Sequence, residues 1–197
     1  MVEWKITNVV FTLRFDTIFL IDKMAAILAE NGVLVHYDLD SFPAIFISLE
    51  NNKKRTKRNI TIFRSGIINI YGLKKVEDIY NIIDKLKKVF NESNIALPDN
   101  YEVKLNNIVI AGKFDYNYIA IDKIFYDFDD AQYDPERFPA VIIPYYISKD
   151  YKVTFNVFST GHFISAGYRG DLNNIYQHIS EVVNSFQEKV IKKYAKT

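Results

Sequence analysis

The chain has 197 residues, of which 49% are hydrophobic, 25% charged and 15% aromatic, so it can bury a sizeable core and is not a disordered tail. Its net charge of +1 excludes a strongly basic body that attracts nucleic acid over long distances. The absence of cysteine excludes disulfides and thiolate zinc sites, and no apolar run approaches the ~20 residues of a spanning helix, so the sequence predicts an intracellular protein without a signal peptide.

The first half of the chain predicts strands and helices in alternation. An apolar, β-rich opening over residues 4–13 predicts a strand, and a helical period follows it, with Asp16 as the expected cap. The residues at that period are Ile18, Ile21, Met24, Ala25 and Leu28. The Asp and Ser residues in segment 36–41 are typical of a turn, after which residues 42–49 and 59–64 predict two strands.

A turn at Gly66, a strand ending at Tyr71 and an amphipathic helix complete the first half. The apolar positions of this helix are Val76, Ile79, Tyr80, Ile83, Leu86 and Phe90. The second half predicts the same order, with a strand over 103–111, a helix capped by Asp115, a turn over 133–137 and a closing helix. Its helices present Ile121, Ile124 and Phe125, then Leu172, Ile175, Tyr176, Ile179, Val182, Val183 and Phe186.

Four short blocks recur in the same order at nearly constant spacing, which indicates an internal repeat. The pairs are 6–10 and 105–109, 41–45 and 137–141, 62–66 and 157–161, and 78–80 and 174–176, at offsets of 99, 96, 95 and 96 residues. Small differences in offset are what loop insertions and deletions produce. The sequence therefore predicts two tandem repeats, residues 1–98 and 99–197, in an α+β fold with one pseudo-symmetric antiparallel sheet whose helices cover a single face.

The other face of the predicted sheet carries large apolar residues where solvent favours polar ones. Alternation places Ile60 and Ile62 under the helices, and leaves Asn59, Thr61 and Phe63 on the uncovered face. An exposed apolar patch usually marks an interaction site. Burial of these rings in an ordinary core stays the alternative.

Antiparallel pairing of strands 42–49 and 59–64 predicts two aromatic pairs at equivalent places. Paired positions sum to a constant near 107, which sets Phe42 diagonal to Phe63. In the second repeat, Phe138 and Phe158 are predicted to meet in the same way.

These residues resemble the TATA-box-binding protein family, including its archaeal form, over nearly the whole chain. The segments that carry the resemblance are 8–10, 42–45, 62–66, 133–141 and 157–161. The resemblance implies a saddle whose concave sheet sits on a widened DNA minor groove, with two phenylalanines wedged into a base step at each end. The implied wedges are Phe42 with Phe63 and Phe138 with Phe158, and the implied central polar pair is Asn8 with Asn107.

The resemblance also implies a groove floor, and here the chain departs from the family. The implied floor positions, besides the two asparagines, are Val10, Val109, Thr61, Asn156, Asn69, Tyr71, Ile164 and Ala166. Tyr71 and Ala166 replace a small hydroxyl residue of the family, and Thr61, Asn69 and Asn156 replace apolar ones. Because only G·C pairs present a donor in the minor groove, the polar positions predict a relaxed preference for A·T.

The implied phosphate contacts are Arg64, Lys74 and Arg169. Ile67 and His162 stand where the family has lysines, which predicts weaker phosphate binding there. The basic run 53–58 has three open interpretations: contact with flanking DNA, a nuclear import signal, or a solvated loop.

Partners and location follow from the same resemblance. It implies AT-rich double-stranded promoter DNA and a B-type general transcription factor as partners, no membrane, and self-association as an open outcome when DNA is absent. Glu136 is implied to meet the B-type factor, and Arg137 departs from the family's usual apolar residue. The implied location is the cytoplasm or nucleoid of an archaeon, or otherwise a nucleus or a viral factory.

No pattern in the sequence predicts catalysis, a cofactor or a metal. The acidic residues Asp127, Asp129, Asp130 and Asp134 lack the spacing of a calcium loop and are expected to end a helix. The histidines His36, His162 and His178 share no zinc spacing, and no phosphate-binding glycine loop or nucleophile elbow is present.

Two functions therefore stay open. One is an initiation factor that binds and bends promoter DNA and recruits the B-type factor and RNA polymerase. The other is a divergent paralogue whose saddle binds proteins or regulates transcription, with altered or lost TATA specificity.

Overall fold

The computed structural model describes residues 2–38, 42–49 and 58–196. The chain forms two compact units. The first unit is Asn8–Asn106, and the second combines Met1–Thr7 with Asn107–Thr197. Each unit is an antiparallel sheet with two α-helices in its described residues, which is the α+β class expected from the sequence.

The first unit follows the predicted order of elements. They are β1 (Glu3–Phe15, whose residues from Asn8 onward belong here), α1 (Ile21–Glu30), β2 (Val35–Asp38), β3 (Phe42–Leu49), β4 (Arg58–Phe63), β5 (Ile67–Leu73) and α2 (Asp78–Glu92). The strands lie in the order β2-β3-β4-β5-β1.

The second unit repeats this plan. Its elements are β6 (Tyr101–Lys113, from Asn107 onward), β7 (Tyr118–Ile119), α3 (Ile121–Asp127), β8 (Gln132–Asp134), β9 (Phe138–Ser148), β10 (Tyr151–Phe158), β11 (His162–Tyr168), α4 (Ile175–Lys189) and β12 (Ala195–Lys196). The main strands lie in the order β6-β11-β10-β9-β8, and β7 pairs separately with β12.

The cores of both units lie on one face of each sheet. Alternation along β4 buries Ile60 and Ile62 completely and leaves Phe63 partly exposed, as predicted. In the second unit, the ring of Phe155 on β10 stacks on Phe186 of α4 at a centroid distance of 3.8 Å. Stacked aromatic rings add to the free energy gained by burying their apolar area, so this helix is held firmly on its sheet.

Two details of helix α1 differ from the prediction. The helix begins at Ile21, and the preceding residue, Leu20, makes no side-chain capping bond, so Asp16 is not the cap. Ile18 lies before the helix and is 74% exposed. In the second unit α3 begins at Ile121 without a side-chain cap, so the prediction for Asp115 is wrong for the same reason: the chain travels several residues from the strand before the first helical turn.

The other corrections concern a strand and a helix face. Segment 36–41 is not simply a turn, because residues up to Asp38 form β2 and pair with β3. In α2, Tyr80 is 62% exposed whereas Ile82 is buried. The buried face of α2 therefore includes Ile82 in place of the predicted Tyr80. Tyrosine is less often fully buried than isoleucine, because its hydroxyl favours contact with water.

Candidate nucleic-acid interface

The face of each sheet opposite its core, here called the open face, carries a row of cross-strand partners. In the first unit this first row consists of His36, Phe46, Thr61, Asn69 and Thr12. In the second unit the second row consists of Gln132, Ile142, Asn156, Ile164 and Ala111. Each residue follows its counterpart by 95 to 99 positions, so the repeat found in the sequence also holds strand by strand.

The second unit brings its two predicted wedge residues together. Phe138 and Phe158 pack edge to face, with ring centroids 5.8 Å apart. Phe138 is 36% exposed and Phe158 is partly exposed, so this pair forms an apolar edge on the surface. Ala140 is the cross-strand partner of Phe158, which confirms the diagonal arrangement expected from the sequence.

The first unit has the equivalent backbone arrangement. Ala44 pairs with Phe63 in an antiparallel register whose positions sum to 107, as predicted. Phe63 is partly exposed. The side chain of Phe42 lies outside the described part of the structure, so the aromatic pair of this unit stays a prediction.

The two predicted central asparagines occupy equivalent positions beside irregularities in the strands. The Oδ1 atom of Asn8 accepts a hydrogen bond from the backbone N–H of Gly72 at 2.9 Å, and Oδ1 of Asn107 accepts one from Gly167 at 2.8 Å. The register shifts at these points, and both glycines have positive φ, of 87° and 108°, which glycine adopts readily. Because a backbone N–H donates to the amide oxygen, Oδ1 and Nδ2 of each amide are distinguished, and the NH₂ group is its donor side.

The floor of the first unit contains a depression of about 450 Å³ on the open face. Its lining includes His36, Phe46, Thr61 and Tyr71. Thr61 is only 4% exposed, so its hydroxyl offers little surface to a ligand. Tyr71, half-buried, gives this floor an aromatic ring that the equivalent residue of the second unit, Ala166, lacks.

The floor of the second unit is smoother and more apolar. Val109 pairs with Ala166, Ile164 is 37% exposed, and Asn156 is half-buried. In the first unit Val10 is half-buried as well. All described floor residues expected from the sequence therefore lie on β-strands of the open face.

Two of the three predicted phosphate contacts lie just beyond the last strand of each unit. Lys74 follows β5 and Arg169 follows β11, and both are exposed. The Arg169 guanidinium donates to the backbone oxygen of Asp150 at 3.0 Å and lies 5.1 Å from the ring centre of Tyr151. These contacts hold the guanidinium in a fixed position.

Arg64, the third predicted phosphate contact, is paired with an acid. Its guanidinium lies 3.7 Å from the carboxylate of Asp22, and both side chains are more than half exposed. The hydroxyl of Tyr37 donates to the same carboxylate. Desolvation and this hydrogen bond to Asp22 raise the pKa of Tyr37 to about 12. Asp22 therefore neutralises a cation that stands next to Phe63.

We predict that Asp22→Asn strengthens binding to DNA. The substitution frees Arg64 to meet a phosphate, and one added phosphate contact steepens the dependence of log K on log salt by about 0.9. Affinity at low salt is expected to rise a few-fold, while stability changes little because exposed ion pairs contribute little. Binding titrations over a salt series measure both quantities.

Asp122→Asn is the matched control. Asp122 lies in the first turn of α3, as Asp22 does in α1. Its substitution by asparagine removes the same charge. An equal gain from both variants would attribute the effect to net charge and contradict the role given to Arg64.

Two basic residues on the open face were not predicted from the sequence. Arg14 is the cross-strand partner of Ile67, and Lys113 is the partner of His162. Both cations are exposed and both adjoin a position where the resemblance led us to expect a lysine. Alternation along each strand, counted from Asn8 and Asn107, was the signal that could have found them.

The predicted partner-binding residues lie on the surface of the second unit. Glu136 and Arg137 are exposed in the turn between β8 and β9, where the N–H of Arg137 donates to the backbone oxygen of Asp134. The basic run at residues 53–58 lies outside the described residues, apart from the backbone of Arg58.

One member of the acidic cluster at the end of α3, Asp127, is hydrogen-bonded to residues near the C-terminus. Asp127 is the last residue of α3 and accepts hydrogen bonds from the hydroxyl of Tyr194 at 2.6 Å and from Lys193 at 2.9 Å. These bonds hold the pKa of Asp127 below its ordinary value. Within the described ranges, no three His, Asp or Glu side chains are grouped as metal ligands, and no helix there is long and apolar enough to cross a membrane.

The two units, with equivalent asparagines on their open faces and a surface aromatic pair in the second, define a tandem-repeat α+β protein. The chain belongs to the family described as transcription factor TFIID, or TATA-binding protein (TBP), whose model matches residues 3–93 and 102–188.

Individual relatives agree with this assignment. The TATA-box-binding protein of Aeropyrum pernix is 27% identical over 187 residues, which cover 94% of this chain and 85% of the relative. That of Methanocaldococcus jannaschii is 28% identical over 188 residues, covering 94% and 96%. The solved structure of Methanococcus jannaschii TBP matches with a TM-score of 0.71 at 27% identity, over 94% of this chain and 99% of that one. The fold is therefore that of TBP.

Proposed function

We propose that this protein is a transcription initiation factor that binds AT-rich promoter DNA through the minor groove and bends it. The observation that carries the proposal is the surface pair of Phe138 and Phe158, whose rings pack edge to face on the open face. Unstacking a base step costs a few kcal/mol, and an apolar wedge offsets this cost while the bend brings more protein into contact.

The central asparagines supply the polar part of recognition. The Oδ1 atoms of Asn8 and Asn107 each accept a hydrogen bond from a backbone N–H, and the NH₂ group is the donor that remains. Every A·T pair presents only acceptors, A N3 and T O2, in the minor groove. The pair of amides therefore complements A·T steps.

Exposed cations at the strand ends supply the sequence-independent attraction. Lys74 and Arg169 lie at equivalent places after the last strands, and Arg14 and Lys113 lie at the ends of β1 and β6. We assign phosphate contacts to these residues, because phosphate neutralisation supplies most of the non-specific affinity of DNA-binding proteins. The small net charge is no obstacle, since the cations are local.

The exposed turn with Glu136 and Arg137 is proposed to contact a B-type general transcription factor, which would recruit RNA polymerase. Both side chains are solvent-accessible, and charged surface residues chiefly set the specificity and rate of association. The protein would act within the cell, on the chromosome. It would carry out no catalysis.

A second function is favoured by Tyr71. Its ring occupies a floor position where the second unit has alanine, and it lines the depression with Phe46 and His36. A ring of this size would hinder the approach of a groove and suit a protein ligand better. On this alternative, the protein is a TBP paralogue that binds proteins or regulates transcription.

Bending of DNA decides between the two. A TA-rich duplex labelled at both ends is titrated with the protein across a salt series, and energy transfer between the labels reports the bend. We expect binding with a bend on the TA-rich duplex, and weaker binding when the site is replaced by G·C throughout. Failure to bind or bend either duplex, with or without a B-type factor, would overturn the initiation-factor proposal.

A further inference from the structure

The two rows differ in polarity at one cross-strand pair of equivalent positions. In the first unit Thr12 is the cross-strand partner of Asn69. In the second unit the corresponding partners are Ala111 and Ile164. A polar pair and an apolar pair thus occupy the same place in the two repeats.

The polar pair is tied into a hydrogen-bonded chain. The hydroxyl of Thr12 donates to Oδ1 of Asn69 at 2.6 Å, and Nδ2 of Asn106 donates to the same hydroxyl. Thr12 and Asn69 are half-buried and Asn106 is exposed. These hydrogen bonds fix the orientation of the Asn69 amide. The amide oxygen keeps one lone pair free, and the amide NH₂ group has no hydrogen-bond partner among the described residues.

A fixed amide of this kind matches one base pair in particular. A guanine adds an N2–H₂ donor to the acceptors of the minor groove. Asn69 offers an acceptor and a donor side by side, so it can accept from N2 and donate to a neighbouring acceptor. The apolar pair of Ala111 and Ile164 would leave the guanine donor unpaired in a desolvated interface, which is unfavourable.

The second unit also holds an amide, but in different surroundings. Asn156 lies on β10, and its cross-strand partners on both sides are Ile142 and Ile164. No side chain among the described residues hydrogen-bonds to it. It therefore lacks the fixed orientation of Asn69, and its counterpart in the first row is Thr61 on β4, not Asn69.

We propose that the first unit reads a G·C pair through Asn69 and Thr12, whereas the second unit admits only A·T. The preferred site is then asymmetric, with its G·C pair in the half that the first unit covers, and it fixes the direction in which the protein sits on DNA. This inference rests on the proposed function, because it assumes minor-groove binding.

The test exchanges the pair between repeats. A single G·C pair is moved through each position of an all-A·T site, and the affinity of each duplex is measured. For the wild type we expect G·C to be tolerated or preferred at a position in one half, and to weaken binding roughly tenfold at the equivalent position of the other half. Thr12→Ala with Asn69→Ile should impose that tenfold loss on both halves.

The reverse exchange and a control complete the design. Ala111→Thr with Ile164→Asn should relieve the penalty in the second half, and Asn117→Val, at an exposed asparagine outside the strands of the second unit, should leave the difference between halves unchanged. Loss of the difference in Asn117→Val would overturn the proposal, as would equal G·C penalties in both halves of the wild type. Failure of the proposed function is distinguishable, because the all-A·T duplex would then not bind.

Orientation is measured directly by site-specific cleavage. The chain has no cysteine, so Ser65→Cys, in the exposed turn after β4, gives a single attachment point for an iron chelate. On a site with one G·C pair, we expect cleavage on one side of the site for the wild-type pair and on both sides for the Thr12→Ala/Asn69→Ile variant. Equal cleavage on both sides in the wild-type background would overturn the proposal.

Discussion

Phe138→Ala combined with Phe158→Ala is expected to abolish the DNA bend and to leave weak, salt-dependent binding. The two rings form one edge-to-face unit on the open face, so together they can hold a base step open. Without them, the cost of unstacking, a few kcal/mol, is no longer offset, which corresponds to an affinity loss of roughly 100-fold or more. Energy transfer across a labelled TA-rich duplex measures the bend, and the salt series measures the remaining phosphate contacts.

The controls separate loss of the wedge from loss of the fold. Both rings are partly exposed, so the double substitution costs stability of about 0.5–1.5 kcal/mol from the aromatic pair plus some buried area, and thermal unfolding should confirm a folded protein. Tyr126→Ala removes a largely exposed ring from α3 in the same unit and should bend DNA like the wild type. A folded double variant that still bends the duplex would refute the wedge mechanism for this unit.

Leucine in place of the two phenylalanines gives a graded version of the same experiment. Leucine is apolar and can enter a base step, but it is smaller and not planar. The bend should therefore be intermediate. An undiminished bend with leucine and none with alanine would show that apolar bulk, and not the planar ring, is what opens the step.

The arrangement of strands could be predicted because the sequence repeats and because strand alternation has a period of two. Strand β3 has the predicted bounds, and the pairing of Ala44 with Phe63 follows from the predicted sum of positions. Once one register is fixed, every side chain on both faces is assigned. This is why Thr61 and Phe63 could be assigned to the open face from alternation, whereas Tyr71 was assigned by the family resemblance.

Contacts between elements distant in sequence could not be predicted in this way. The ion pair of Arg64 with Asp22 joins a turn of the sheet to the first turn of α1, and no local pattern relates the two residues. The helix starts were misplaced for a related reason. Asp16 is a good capping residue by type, but the path from β1 to α1, which includes the N–H of Phe19 bonded to the oxygen of Arg64, decides where the helix begins.

The orientation of the central amides likewise needed the structure. The repeat aligns Asn8 with Asn107 and Gly72 with Gly167, but it does not predict that each asparagine is hydrogen-bonded to the glycine of its own unit. The register shift beside each glycine turns its N–H toward the asparagine. In the proposed function, DNA recognition would be linked to a backbone irregularity, because the amide that accepts a hydrogen bond from the strand would also present its NH₂ group to a base.

Asn8→Asp combined with Asn107→Asp is expected to abolish specific binding without unfolding the protein. A carboxylate is nearly isosteric with the amide and accepts a hydrogen bond from the N–H of Gly72 or Gly167 at least as strongly. It has no NH₂ group, however, and places a negative charge against the acceptors of the groove. An unsatisfied buried polar group costs about 1–3 kcal/mol, so the pair should weaken binding by about 100-fold or more.

Asn81→Asp combined with Asn117→Asp is the matched control, since both asparagines are exposed and one lies in each unit. This variant adds the same two charges and should lower affinity only by the modest electrostatic amount that higher salt removes. If the two double variants lose affinity equally at every salt concentration, the asparagine amides do not contact bases. If the Asn8/Asn107 variant instead unfolds, the amide NH₂ groups have structural partners that the carboxylates cannot replace, and the assignment of these groups to DNA is wrong.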